Sequence, residues 1–193
     1  LQRTYLGVFF DLRNYGVGAT NIDYGIERIT NDYSYLGSSV ASLVSQKPDV
    51  VVVESFAYNP YPFDVGAMDK HWLALSRAVD AIRNNLPEAR IVIAATIAPN
   101  WDVFGDGAPG VSFSDQGKRE HVAVVKRYLE NAVRFAQSQG LPLADAYHPS
   151  LQSDGNGKLQ YINAGAHLHY SDAGRDLFGR VVGQAIVANK LLE

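Results

Sequence analysis

The sequence predicts a three-layer α/β/α sandwich built on a parallel β-sheet, and three observations support this fold class. Short apolar runs alternate with longer segments whose apolar residues recur every three to four positions, as strands and amphipathic helices require. The clearest run, 49–54, has four consecutive valines, which is typical of a strand covered on both faces. The chain has 193 residues, so we expect a single domain over 1–193. Parallel strands need crossover helices, and right-handed crossovers place those helices on both faces of the sheet.

Two strands and three helical segments are predicted in the first half of the chain. Residues 6–13 are rich in aliphatic and aromatic side chains and predict the first strand. Residues 20–46 predict two helical pieces that break near Gly37. The strand at 49–54 follows, and residues 72–86 have the apolar spacing of an amphipathic helix.

The second half continues the alternation of strand and helix. Residues 91–95 predict another buried strand. Ser114 can cap the next helix, which Gly140 ends. A short strand at 141–145 and a final helix over 172–190 complete the pattern.

Composition excludes several classes of protein. Apolar residues make up 47% of the chain, which excludes a disordered protein. The 17 Lys and Arg against 20 Asp and Glu give a net charge of −3 with no basic run, so no nucleic-acid partner is predicted. No apolar stretch approaches the roughly 18 residues of a membrane span. The chain has no cysteine, which excludes disulfides and thiolate metal sites.

The start of the sequence is unusual. The chain opens at Leu1, and its only methionine is Met68. We therefore expect a processed chain or a fragment that is incomplete at its N-terminus.

In a doubly wound sheet, sites form at the carboxyl ends of the strands. Gly16 and Gly18 follow the first predicted strand, but position 21 is Asn, so the Gly-x-Gly-x-x-Gly pattern of dinucleotide binding is incomplete. The glycines remain compatible with a tight turn or with an oxyanion hole that uses the Gly16 N–H. After the strand at 49–54, Asn59 is either a turn residue before proline or a second, uncharged oxyanion donor.

Other polar side chains near the strand ends have weaker or competing interpretations. Ser55 lacks the Gly-x-Ser-x-Gly pattern of a nucleophile and is interpreted as a packing or turn residue. Two histidines compete for the role of general base. His148 stands three residues after Asp145 but runs into a stretch with no helix to hold it, whereas His169 lies just before the last helix.

The remaining histidines suggest little chemistry. His167, His169 and Asp172 are compatible with a metal site, but no further cluster of ligands supports one. His71 and His121 lie on predicted helices and are expected at the surface.

Three segments at these positions share a pattern with one known family. They are Asn14-Tyr-Gly16, Ala57-Tyr-Asn59-Pro60 and residues 166–174, in that order along the chain. Together they resemble the second, third and fifth blocks of the SGNH/GDSL hydrolase superfamily, which includes lipases and acylhydrolases. The resemblance implies a flavodoxin-like parallel sheet. It also implies the oxyanion hole as the role of Gly16 and Asn59, and general base as the role of His169.

The chain departs from the family pattern at two points. The Gly-Asp-Ser block, which carries the family's nucleophile and ends its first strand, does not occur in the sequence. Ala166 stands where the family has the Asp that orients the base. We therefore expect the first strand to be missing, so that residues 6–13 and 49–54 flank a gap or pair directly. We also expect His169 to lie near Asn59 and Gly16.

The resemblance implies an ester hydrolase that acts by serine acyl transfer in its intact form, while the chain as given is inactive. The alternative is a catalytically inactive SGNH-fold binding module, with a nucleotide-binding domain as a more distant possibility. No metal or organic cofactor is implied. The expected substrate is a small-molecule or carbohydrate ester, since the eleven tyrosines offer aromatic faces for sugars and acyl chains.

Overall fold

The centre of the fold is a three-stranded parallel sheet between two layers of helices. A computed structural model describes residues 1–55, 57–62 and 64–193. In chain order the helices and strands are α1 (Ile22–Thr30), β1 (Tyr33–Tyr35), β2 (Ser38–Val40), β3 (Val50–Glu54), α2 (Ala67–Asn85), β4 (Arg90–Ala95), α3 (Asp115–Ser138), β5 (Leu143–Asp145) and α4 (Asp172–Ala188). Single turns of 3₁₀ helix occur at Val44–Gln46, His148–Ser150 and Leu159–Tyr161.

Side chains of β4 alternate between the two faces of the sheet and hold the layers together. The strand order is β3-β4-β5, and both pairs are parallel. Ile91 and Ile93 pack with buried residues of α1, α2 and α3 on one face. Val92 and Ala94 pack with Ala185 of α4 on the other face. This period of two, with both faces apolar, is what a sheet covered by helices requires, and the predicted three-layer fold class is confirmed.

The helices follow the predicted apolar patterns, with shifts at their ends. Ser114 caps α3 as predicted, because its Oγ accepts a hydrogen bond from the Gly117 N–H at 3.1 Å. Helix α2 begins at Ala67, five residues before the predicted start, and follows Gly66 at φ +87°. Within the three described ranges, no helix is both long and apolar enough to cross a membrane.

The predicted first strand at 6–13 is wrong. These residues form no strand, and three of their large apolar side chains, Leu6, Phe9 and Leu12, are 84–88% exposed. The physical reason is that an extended segment becomes a strand only when a neighbouring strand satisfies its backbone groups. In the described part of the chain β3 pairs only with β4, so the expectation that 6–13 and 49–54 flank a gap or pair directly is also wrong.

The second helical piece predicted within 20–46 is a β-hairpin instead. Tyr35 pairs with Ser38, which leaves Leu36 and Gly37 as a two-residue turn. Both turn residues have positive φ, at +49° and +77°, as a type I′ hairpin turn demands. Gly37 therefore reverses the chain, and does not merely interrupt a helix.

Gly174, near the start of α4, is expected to tolerate no larger side chain. A Cβ there would lie 2.2 Å from the carbonyl oxygen of Tyr161, whereas a Cβ at Gly179 of the same helix would meet nothing within 4 Å. Gly174→Ala should lower the free energy of unfolding by about 2 kcal/mol or more, because the backbone must shift. Gly179→Ala should instead raise it, by up to about 1 kcal/mol, through helix propensity. Urea unfolding of both variants tests this contrast, and equal effects would contradict it.

Candidate active site

The carboxyl ends of the three parallel strands lie level with one another. The registers place Glu54 beside the penultimate residue of β4 and Ala95 beside Asp145. Ser55 and Thr96 follow directly after β3 and β4. Because ligands of parallel sheets bind at this edge, the polar groups gathered here form the candidate active site.

The loop with Gly16 and the side chain of Asn59 are joined by a hydrogen bond. Asn59 Nδ2–H donates to the carbonyl oxygen of Thr20 at 3.1 Å. The Gly16 N–H donates to Asn14 Oδ1 at 2.8 Å, and Gly16 is exposed. Both predicted oxyanion donors thus have neutral acceptors of the protein as partners. An oxyanion can compete for them, because hydrogen bonds to a charged acceptor are stronger.

Arg28 of α1 fixes the same loop from its other side. Its Nε–H donates to the carbonyl oxygen of Tyr15 at 3.2 Å, and Nη2–H donates to Thr20 Oγ1 at 3.3 Å. Partial burial lowers the pKa of the guanidinium from its ordinary value. The rigid fork of Arg28 therefore holds the loop at both ends, with Gly16 between them.

His169 lies in an exposed position on the loop that leads into α4. Its carbonyl oxygen accepts a hydrogen bond from the Asn163 N–H at 2.8 Å. The next residue, Tyr170, forms an isolated antiparallel bridge, and Ser171 caps α4 by accepting from the Gly174 N–H. The backbone on both sides of His169 is therefore held in place. Its predicted proximity to the two oxyanion donors stays a prediction.

His148, which was expected to have no helix to hold it, is held by an acid and lies at the start of a single 3₁₀ turn. Its Nδ1–H donates to Asp145 Oδ2 at 2.6 Å, and its backbone N–H donates to Asp145 Oδ1 at 3.1 Å. A carboxylate that accepts from Nδ1 fixes the ring and leaves Nε2 for other partners, as in a general base. His148, which is exposed, thus remains the competing candidate for the base.

The other histidine of this loop, His167, has a structural partner. Its φ is +51°, and its Nδ1–H donates to the carbonyl oxygen of Asp106 at 2.8 Å. The carboxylate of Asp106 in turn pairs with the buried Lys118 at 2.7 Å. Among the described residues, no group of three His, Asp or Glu side chains is arranged to hold a metal ion.

A hydrogen-bonded row connects the half-buried Ser55, directly after β3, with the buried His71 of α2 and Asn131 of α3. His71 Nε2 lies 3.0 Å from Ser55 Oγ, and His71 Nδ1 lies 3.0 Å from Asn131 Nδ2. His71 is only 2% exposed and packs edge-on against Tyr128, so its predicted surface position is wrong. The error arises because α2 turns this face toward α3. His121, by contrast, is exposed as predicted.

The hydrogen-bond directions in this row oppose a catalytic role for Ser55. Asn131 Nδ2–H also donates to the carbonyl oxygen of Met68 at 3.1 Å, which fixes the orientation of the amide. His71 Nδ1 must then accept, so the proton sits on Nε2 and is donated to Ser55 Oγ. A histidine that donates to a serine cannot remove its proton. Burial also lowers the pKa of His71 to about 4, which keeps the ring neutral.

A second polar cluster, which we call the Glu54 cluster, contains Glu54, Tyr58, Thr96 and Tyr170. Thr96 Oγ1–H donates to the Tyr170 hydroxyl, and the Tyr58 hydroxyl donates to the carbonyl oxygen of Ile97 at 3.1 Å. Glu54 Oε1 is buried and has no hydrogen-bond partner in the described part of the chain. Burial raises the pKa of Glu54 to about 7, although hydrogen bonding to Thr96 opposes the shift. The pKa values of Tyr58 and Tyr170 are also raised, first by burial and then by the Glu54 charge.

Sequence reasoning missed two of these features. Thr96 carried a usable signal, because it is the first polar residue after the apolar run of β4. The partnership of His71 with Asn131 carried none, since the two residues stand 60 positions apart on different helices.

Comparison with known sequences gives no match. No protein-family model matches the chain, and no curated protein matches it.

Comparison with solved structures, by contrast, identifies the fold. A GDSL-like lipase from Bacteroides thetaiotaomicron is 13% identical, with a TM-score of 0.63 over 89% of this chain and 73% of that one. An acylhydrolase-like protein from Bacteroides fragilis is 18% identical, with a TM-score of 0.58 over 91% and 73%. A variant of an acetyl xylan esterase from Geobacillus stearothermophilus is 15% identical, with a TM-score of 0.54 over 96% and 76%.

The protein belongs to the three-layer α/β/α class, with a parallel sheet flanked by helices. Within that class, the chain has an SGNH/GDSL hydrolase-like fold.

Proposed function

We propose that this domain is the major part of an ester hydrolase that acts by serine acyl transfer. The observation that carries the proposal is the hydrogen bond between Asn59 and the loop of Gly16, at the carboxyl edge of a hydrolase-like sheet. A tetrahedral oxyanion is stabilised by two uncharged donors, and this hydrogen bond supports assigning that role to the Gly16 N–H and Asn59 Nδ2–H. The names of the structural neighbours (lipase, acylhydrolase and acetyl xylan esterase) support the same reaction class.

In the proposed reaction, His169 acts first as base and then as acid, while Gly16 and Asn59 stabilise the oxyanion. A serine from residues upstream of Leu1 attacks the ester carbonyl, and His169 accepts its proton. The Gly16 N–H and Asn59 Nδ2–H stabilise the negative charge on the carbonyl oxygen. His169 then protonates the departing alcohol, and water releases the acyl group by the reverse sequence. The substrate is a small-molecule or carbohydrate ester, and no metal or organic cofactor takes part.

A second candidate function is a catalytically inactive binding module with the same fold. The observation in its favour is Ala166, three residues before His169, where a base would need its orienting carboxylate. The residues upstream of Leu1 discriminate between the two functions. A Gly-Asp-Ser there favours the hydrolase, and a sequence without a serine nucleophile favours the binding module.

The chain as given is expected to show no esterase activity. Hydrolysis of p-nitrophenyl acetate should not exceed the background of an equal concentration of free histidine, because Ser55 accepts a hydrogen bond from His71 and is not activated by it. A fluorophosphonate probe, which labels activated serines, should also leave it unmodified. Intact-protein mass spectrometry measures the labelling. Stoichiometric modification of Ser55 would contradict the hydrogen-bond directions assigned to His71.

A further inference from the structure

A groove lies between α1 and the β1–β2 hairpin, away from the core. It has a volume of about 300 Å³, and its lining includes Thr20, Tyr24, Glu27, Arg28, Asn31 and Tyr33. This volume is at the small end of the range for ligand sites, which suits one sugar ring. We call it the hairpin groove.

The hairpin groove is lined by both aromatic and polar side chains. The Tyr24 side chain, from the first turns of α1, is 56% exposed and offers an open ring face. Tyr33 also lines the groove, and the Arg28 guanidinium, 5.6 Å from its ring centre, and Tyr15 hold it in place. The Glu27 carboxylate lines the groove as well. A ring face beside open hydrogen-bonding groups matches a pyranose, which has apolar C–H faces and hydroxyl edges.

Charge in the hairpin groove selects against acidic ligands. The carboxylates of Glu27 and Asp32 line it, against the single guanidinium of Arg28. Two of the Arg28 donors are already committed to Tyr15 and Thr20, and one Asp32 oxygen accepts from the Ser42 N–H at 2.8 Å. An anionic sugar would meet a net negative wall, so a neutral sugar fits better.

The hairpin groove shares a residue with the candidate active site. Thr20 lines the groove, and its carbonyl oxygen is the acceptor of Asn59 Nδ2–H. Val17, between Gly16 and Thr20, lines the groove as well. A sugar held there would therefore sit next to the loop that carries Gly16 and accepts the hydrogen bond of Asn59.

We propose that the hairpin groove binds a neutral pyranose unit of an acylated oligosaccharide, with the Tyr24 ring as its stacking platform. The proposal rests on the proposed function for the identity of the reacting ester, but it concerns binding alone. The groove is separate from the residues that would carry out the chemistry, so the chain as given can be tested directly.

The test is titration of the full chain with xylotriose, a neutral probe, followed by two-dimensional amide NMR. We expect saturable shifts at the amides of residues 20–34, and weaker binding of trigalacturonic acid, an anionic probe. Tyr24→Ala should weaken xylotriose binding about fivefold or more, whereas Tyr24→Phe, which keeps the ring, should stay within about twofold. Phe9→Ala is the matched control, because Phe9 is 88% exposed outside the groove and should leave binding unchanged.

Each outcome bears on the hairpin groove separately from catalysis. No saturable shift, or equal binding by the Tyr24→Ala and Phe9→Ala variants, overturns the sugar site. Tighter binding of trigalacturonic acid than of xylotriose overturns the preference for neutral sugars. If xylotriose binds as expected while a chain extended upstream hydrolyses no ester, the groove stands and the proposed function fails. If the extended chain hydrolyses p-nitrophenyl acetate but no xylotriose binds, the function stands and the groove fails.

Discussion

His169→Ala is expected to lower the turnover of p-nitrophenyl acetate by about 10³-fold or more in a chain extended upstream through a Gly-Asp-Ser sequence. Without the imidazole, no group removes the proton of the attacking serine or returns it to the leaving group. Loss of a triad member in other enzymes has effects of this size. The measurement is kcat for the extended chain and its variant under the same conditions.

His148→Ala is the matched control for that experiment. His148 is exposed like His169 but has its own acid, Asp145, at 2.6 Å. The proposal assigns the base to His169, so His148→Ala should leave kcat within about threefold. The reverse pattern would assign the base to His148, with Asp145 as its orienting acid.

Ala166→Asp in the extended chain probes the same assignment from the other direction. A carboxylate three residues before His169 would fix the ring and stabilise its protonated form. We expect kcat to rise in this variant and the rise to disappear when His169→Ala is added. A rise that survives His169→Ala would show that the new carboxylate acts elsewhere.

The parallel sheet was predictable from sequence because its strands depend mainly on burial. The apolar run of β4 is buried from Ile91 to Ala95, as a strand covered on both faces requires. The four valines of β3 also form a strand, but Val52 is 37% exposed, so β3 is not covered completely on both faces as predicted. The Ser114 cap of α3 was predictable for a similarly local reason, since a serine before a helix satisfies an otherwise unpaired N–H.

The N-terminal segment and the hairpin were not predictable from local pattern. Residues 6–13 have the composition of a strand, but a strand also needs a neighbour, which sequence composition does not supply. At Gly37 the pattern allowed a break between helices or a reversal between strands. The pairing of Tyr35 with Ser38 decided it.

For the candidate site, the sequence indicated which loops take part but did not indicate the hydrogen-bond partners of their residues. The rule for strand ends placed Asn59 after β3, but for Gly16 it depended on the predicted strand 6–13, which does not form. The hydrogen bond from Asn59 to Thr20 nevertheless joins the loop of Gly16 to the segment that follows β3. The carbonyl that accepts from Asn59 could not be named, because it depends on how two loops 39 residues apart meet. The burial of His71 was missed for the same reason.

The free energy of unfolding is expected to depend strongly on pH through the buried carboxyl of Glu54. Between its ordinary pKa of 4.5 and its folded pKa of about 7, the folded state keeps a proton that the unfolded state has lost. The Glu54 contribution to stability is therefore present below pH 4.5 and is lost as the pH rises to 7. A shift from 4.5 to about 7 corresponds to about 3 kcal/mol.

The stability contribution of His71 changes with pH in the opposite direction. Its pKa is lowered from 6.5 to about 4 on folding, so the unfolded state takes up a proton first as the pH falls. The His71 contribution is present above pH 6.5 and is lost toward pH 4. The changes in unfolding free energy with pH that Glu54 and His71 cause nearly cancel between pH 4.5 and 6.5. Neither contribution is therefore visible in the pH dependence of wild-type stability.

Glu54→Gln separates the two contributions. The amide keeps the size of the side chain and removes the titration. The free energy of unfolding of the variant minus that of wild type should therefore rise by about 3 kcal/mol from pH 4 to pH 8. Urea unfolding at both pH values measures this difference. Glu88→Gln, at an exposed position, is the control and should differ from wild type equally at both pH values. If the Glu54→Gln difference is also independent of pH, the carboxyl is ionised in the folded protein at neutral pH. It would then have to accept a hydrogen bond within the Glu54 cluster, where Thr96 is its hydrogen-bond partner.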